Sequence, residues 1–146
     1  MTLSVVLRYR TRRPWAPGPK SLRAWATLAA GDRNAVLGIR VVGTHESRTL
    51  NERWRGRAGA TNVLSFPAAR TPGRSQLGDI VVCAPVVARE AREQGKALRA
   101  HWAHMIIHGT LHLLGFDHLR AAEARRMEGR ERALLARLGI EDPYGD

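Results

Sequence analysis

The chain has 146 residues, enough for one domain that buries roughly 70% of the surface its unfolded form would expose. Lys plus Arg total 24 against 13 acidic residues, a formal charge of +11. The single cysteine, Cys83, excludes an intrachain disulfide scaffold and reads as a small buried apolar residue. No apolar run approaches the roughly 20 residues that a membrane-crossing helix needs, so no membrane association is expected. The apolar run from Leu3 to Leu7 precedes Arg8, Arg10, Arg12 and Arg13, the reverse of a signal peptide's order. A reducing, cytoplasmic setting is the expectation. Lys20 and Lys96 are the only lysines, so 22 of the 24 cations are arginine. Arginine presents a planar two-pronged donor to phosphate, which points to a polyanionic partner with salt-sensitive binding. An arginine- and alanine-rich proteome is the competing explanation.

In chain order, residues 3–9 read as a Val/Leu-rich strand, followed by a turn at Arg12-Arg13-Pro14 and Pro17-Gly18-Pro19. Ser21 is placed to cap a helix carrying Leu22, Trp25 and Leu28, which runs through Ala30 and stops at Gly31-Asp32. A second strand spans about 35–42. Thr44 or Ser47 opens a short helix with Leu50 and Trp54, ended by Gly56. Residues 55–67 run from a basic, glycine-containing loop into a brief alternating strand that Pro67 takes out of the sheet. A polar loop at 68–76 contains Pro72-Gly73. The fourth strand, 77–83, leads to a helix with Pro85 in its opening position, and Gly95 separates that helix from the next. A buried helix spans about 98–114, and a last amphipathic helix, about 120–138, carries Met127, Leu134, Leu135 and Leu138 and is capped by Gly139. The expected fold class is α/β (α+β): a single compact domain over residues 1–146, with a small mixed four-stranded sheet covered by about five helices and the metal site at the end of the buried helix. The pattern does not give the strand order.

The most informative stretch is His108-Gly109-Thr110-Leu111-His112-Leu113-Leu114-Gly115-Phe116-Asp117-His118. Histidines four apart lie one turn apart on one helical face, so His108 and His112 can address one ion. Gly115 can adopt the left-handed conformation that turns the chain back and returns His118 toward them. Three protein ligands leave a fourth tetrahedral position for water, the arrangement of catalytic rather than closed structural zinc. The spacing matches the metzincin pattern H-E-x-x-H-x-x-G-x-x-H except at Gly109, which stands where those peptidases carry their general base. A glycine cannot take a proton, so another group does that work or the reaction is not peptide hydrolysis.

With Thr61-Asn62-Val63-Leu64-Ser65-Phe66-Pro67 and Leu77-Gly78-Asp79-Ile80 added to that stretch, in this order and at these separations, the chain resembles the YbeY family of bacterial endoribonucleases over about residues 45–139. The resemblance implies a compact α/β domain and one zinc ion held by His108, His112 and His118, with Arg55 matching the family's basic-loop arginine. It implies metal-dependent cleavage of single-stranded RNA, in maturation of the 16S rRNA 3′ end and in ribosome quality control. RNA is then the partner, together with the ribosome or its proteins, and DNA is not. Where the family often has a charged or polar residue just after the position of Arg57, this chain has Ala58-Gly59.

By the resemblance, Arg55 is the expected catalytic residue, its guanidinium set against the phosphate where negative charge develops; chemistry alone makes it as readily a solvated loop residue, one of 22 arginines. Zinc would lower the pKa of bound water toward neutrality, and either water or the RNA 2′-hydroxyl serves as nucleophile. At about 100° per residue, His101, His104, His108 and His112 fall within an arc of roughly 80°. His101 and His104 therefore divide between supporting or RNA-contacting roles and plain packing. Asp117 either orients an imidazole or caps a turn, and Ser65 and Asp79 either line a cleft or satisfy backbone amides. Two other functions compete: a zinc metallopeptidase, opposed by Gly109, and a non-catalytic RNA-binding assembly factor with structural zinc.

Overall fold

The computed structural model describes residues 3–68, 75–117 and 119–145. Within these, four strands and five helices follow in the order β1 (Ser4–Tyr9), α1 (Pro19–Ala30), β2 (Val36–Val42), α2 (Thr44–Arg55), β3 (Val63–Pro67), β4 (Gln76–Cys83), α3 (Ala84–Gln94), α4 (Leu98–Leu113) and α5 (Ala121–Arg137). The sheet order is β1-β2-β4-β3. β1 and β2 are parallel through the α1 crossover, β2 and β4 are parallel, and β3 runs antiparallel to β4 with Val63 opposite Val82 and Pro67 opposite Gly78. Pro67 is tolerated because β3 is an edge strand, where a missing N–H breaks no ladder. The mixed four-stranded sheet and five helices agree with the expected α/β class. The polar loop read at 68–76 lies, over 69–74, outside the described residues.

Helix boundaries differ from expectation in small, explicable ways. α1 starts at Pro19, two residues before Ser21, because a proline in the first turn gives up no N–H that the helix would use. The Ser21 hydroxyl instead accepts a hydrogen bond from Arg99 at 2.7 Å. α2 starts at Thr44, and Ser47, the other candidate, is buried inside the helix.

Alternation along the strands divides the apolar residues between two faces. Leu37, Ile39, Val41, Ile80 and Val82 join α1, α4 and α5 in the main core. Val42, Leu64, Val81 and Cys83 face the other way and form a smaller core with Val86 and Leu50. α4 is apolar nearly all round, as a helix enclosed by other elements must be. Trp102, Ala103, Ile106, Ile107 and Leu111 have no exposure.

Gly109 is the point where α4 comes down on the sheet. A Cβ there would stand 3.0 Å from Ile80 Cγ2, 3.1 Å from Val63 Cγ2 and 3.4 Å from Ser65 Oγ. The Ser65 hydroxyl donates to the Gly109 carbonyl at 3.0 Å, so the same residue is bonded to β3. The position that bears the proton-accepting glutamate in metzincins therefore faces packed side chains here. Gly109→Glu is expected to destabilise the protein by about 3 kcal/mol or more, through overpacking and an unpaired buried carboxylate, and to give no peptidase activity. Urea denaturation with a peptide-cleavage assay checks this; a stable variant that hydrolyses peptides would contradict the packing account.

Candidate active site

A cleft of about 600 Å³ opens where the C-terminal ends of α2 and α4 meet β3, and Arg55, Arg57, Asn62, Ser65, His108, His112 and Asp117 are among the residues that line it. Two buried polar side chains of α2, one turn apart, shape the loop between α2 and β3. Ser47 Oγ donates to the Thr61 carbonyl at 2.9 Å and accepts from the Thr61 N–H at 3.0 Å. Asn51 Nδ2 donates to the Gly59 carbonyl at 2.9 Å. Asn62 continues the brace: its Oδ1 accepts from the Val63 N–H at 2.6 Å, and its Nδ2 donates to both carboxylate oxygens of Glu90 at 3.1 and 3.2 Å. Buried polar atoms need such partners, so these bonds fix the wall of the cleft.

α4 supplies the imidazoles. The helix ends in a Schellman turn: Phe116 N–H bonds to the Leu111 carbonyl at 3.1 Å and Gly115 N–H to the His112 carbonyl at 3.0 Å. This turn requires the left-handed backbone that Gly115 adopts, with φ +100°. His108 and His112, half-buried, present edge-to-face rings with centroids 4.7 Å apart. Imidazoles this close, in a cleft open to solvent, are a donor set suited to a borderline-soft divalent ion such as zinc. Arg55 ends α2 with its guanidinium 5.3 Å above the Phe66 ring and a hydrogen bond to the Ser65 carbonyl. Three of the four expected site residues thus line one cleft. His118 lies outside the described residues.

The two N-terminal histidines of the arc are turned inward. His101 Nε2 bonds to Glu90 Oε1 at 2.9 Å, and His104 Nε2 to Glu131 Oε2 at 2.5 Å. With 3% and 7% exposure, neither is available to touch RNA. Burial pushes the His104 pKa down, more than Glu131 pulls it up. Burial alone would raise Glu131, but hydrogen bonds from His104 and His108 outweigh it and hold the carboxyl at about 2. The two directions agree on one state: a neutral imidazole donating its Nε2–H to an ionised carboxylate. His104 Nδ1, which has no hydrogen-bond partner among the described residues, is then a lone pair rather than a stranded donor. Tyr144 Oη donates to both Glu131 oxygens at 3.0 Å, and burial followed by the Glu131 charge raises its pKa. His104, His108 and Glu131 each place one ligand atom within 4.8 Å of the others, a group able to hold a metal ion.

Asp79 is not in the cleft. Its alternation puts it on the opposite sheet face, where Oδ1 lies over Gly38 in a separate groove with Arg8 and Arg40. Glu131, Ser47 and Asn51 are site-building residues that motif reading passes over. The available signal was a polar residue on an apolar stripe: Glu131 falls in helical register with the buried Met127, Leu134 and Leu135.

An α/β domain whose enclosed helix delivers paired imidazoles to an arginine-lined cleft is the class these features define. The model of the endoribonuclease YbeY family matches residues 20–139. A Stenotrophomonas maltophilia protein named endoribonuclease YbeY is 52% identical over 97% of this chain and 93% of its own. One of the same name from Alkalilimnicola ehrlichii is 55% identical over 88% of this chain and 82% of its own. The chain belongs to the endoribonuclease YbeY family. The solution structure of a Thermotoga maritima protein superposes with a TM-score of 0.54 at 21% identity, covering 97% of this chain and 99% of that one, and bears out the fold.

The Glu90 brace makes stability pH-dependent. Burial alone would raise the Glu90 pKa, but hydrogen bonds from His101 and Asn62 lower it below the ordinary 4.5. A depressed carboxyl contributes stability above its unfolded pKa and loses it as pH falls through the folded value. Glu90→Gln is therefore expected to be less stable than the parent at pH 7, with a gap that narrows below about 4.5 and closes in acid. Denaturation midpoints across that range check this; a gap independent of pH would contradict it.

Proposed function

We propose that the protein is a zinc-dependent endoribonuclease that cleaves single-stranded RNA, with His108, His112 and His118 holding one zinc ion and Arg55 acting on the scissile phosphate. The observation that carries this reading is the shared cleft: two imidazoles in contact at the end of α4, faced by Arg55 and Arg57 from the neighbouring wall. Asp117 and Leu119, the residues on either side of His118, line the same cleft, which favours His118 as the third ligand. A bound zinc ion supplies Lewis-acid activation and lowers the pKa of water toward neutrality.

The chain's own groups do the rest. Arg55 offers a two-pronged donor to the phosphodiester and stabilises the charge that grows on its oxygens in the transition state. The surplus of +11 draws in the polyanion and concentrates it at the cleft. Packing at Gly109 leaves no carboxylate at the metzincin base position, which favours phosphodiester over peptide chemistry. Family membership supports an RNA substrate, and the resemblance extends the proposal to 16S rRNA 3′-end maturation, ribosome quality control and a cytoplasmic location. No helix among the described residues is long and apolar enough to cross a membrane.

Cleavage of a single-stranded RNA, with and without chelation and zinc readdition, tests the proposal. Chelation is expected to abolish cutting and zinc to restore it. His112→Ala is expected to be inactive, and Arg55→Ala to retain zinc while losing about 10²- to 10³-fold in kcat. Undiminished cutting by the chelated protein, or by His112→Ala, would overturn it.

A further inference from the structure

We infer that Glu131, reaching across from α5, is a positioning residue for His108: it accepts the Nδ1–H of that ring and leaves Nε2 as the nitrogen offered to the metal, with Tyr144 and His104 locking the carboxylate in place. This rests on the metal reading above and extends it to residues outside the three-histidine motif.

Glu131 has no exposure, and it stands in the middle of the stripe by which α5 packs on the core. Burying a carboxylate costs several kcal/mol unless its oxygens are satisfied. The cation one residue along does not satisfy it: Arg132 reaches away to Asp142 at 2.8 Å. What surrounds Glu131 instead is two imidazoles and a phenol. Oε2 receives His104 Nε2 at 2.5 Å and lies 3.3 Å from His108 Nδ1, and the Tyr144 hydroxyl is 3.0 Å from both oxygens.

These contacts decide between two uses of the cluster. Two ligands of one tetrahedral zinc, each about 2.0–2.1 Å from the ion, stand roughly 3.3 Å apart. His104 and Glu131, at 2.5 Å, are at the separation of a shared proton rather than a shared ion. The His108–Glu131 separation of 3.3 Å suits a hydrogen bond and a shared ion alike, so the 2.5 Å pair decides: the cluster is a hydrogen-bonded support, and among the described residues it reaches the cleft through His108. A neutral imidazole carries a single N–H. Once Nδ1 holds that proton against Glu131, Nε2 has the lone pair, on a ring that lines the cleft. A carboxylate behind a ligand imidazole fixes its tautomer and orientation and strengthens it as a donor. Tyr144 adds a second lock, because its hydroxyl bridges both Glu131 oxygens and its ring meets His104 edge-on at 5.5 Å.

The test is zinc affinity, measured by competition with a chromophoric chelator on the full chain, together with ¹⁵N NMR of the histidine rings in the zinc-loaded protein. Glu131→Gln is expected to bind zinc roughly 10- to 100-fold more weakly, and Tyr144→Phe, which removes one hydroxyl from a half-exposed edge, several-fold more weakly. The parent's His108 is expected to show a protonated Nδ1. If Glu131→Gln does not fold, Tyr144→Phe and the tautomer of the parent still decide. Zinc affinities of both variants within twofold of the parent, or a protonated Nε2 on His108, would overturn the inference. His112→Ala separates this from the reading beneath it. Weak zinc binding by His112→Ala with unchanged binding by Glu131→Gln defeats this inference alone, and unchanged binding by both defeats the metal site itself.

Discussion

The close approach of α4 to the sheet at Gly109 sets the geometry on which the rest depends. With no side chain at 109, the helix rests on Ile80 and Val63 and is tied to β3 by the Ser65 hydroxyl. That contact fixes the rotation of the helix about its axis. His108, one residue back, and His112, three residues on, lie roughly 100° and 60° away from it in the same direction. Both rings are therefore carried to the same flank, the one that opens into the cleft. An alanine at 109 would need Ile80, Val63 and Ser65 to give by a few tenths of an ångström, and a larger side chain would press the helix off the sheet and move both imidazoles together.

Much of this was legible in the sequence because it depends on local rules. The four-residue histidine spacing, the glycine that closes α4 with φ +100°, and the proline that marks an edge strand each act within one turn or one strand. Element positions followed from apolar periodicity to within a few residues. Strand order did not follow, because it is set by which faces meet at long range, and neither did the side of the sheet on which Asp79 falls. The motif alone makes Gly109 a missing base, but its cause is steric and belongs to Ile80 and Val63, distant residues that the motif does not contain. The supporting shell was least visible. Ser47, Asn51, Glu90 and Glu131 lie on three different helices, and their partners stand 8 to 28 positions away. Only the placing of a charge among Met127, Leu134 and Leu135 hinted at one of them.

Charge is distributed so that the surface and the interior do different work. The arginine excess is displayed outward, and Arg55 and Arg57 carry it to the cleft. Behind the cleft, the two innermost histidines are paired with carboxylates, His101 with Glu90 and His104 with Glu131. Glu90 braces Asn62 in one wall of the cleft, and Glu131 contacts the ring of His108. The acidic residues placed behind the site thus hold its walls, while Arg55 and Arg57 line its front.

The most direct measurement of the central claim is an anomalous difference map at the zinc edge, from crystals of the protein grown with zinc. The account predicts one strong peak per chain in the cleft, within about 2.0–2.1 Å of a ring nitrogen of both His108 and His112. A peak between His104 and Glu131, or none near His112, would contradict it.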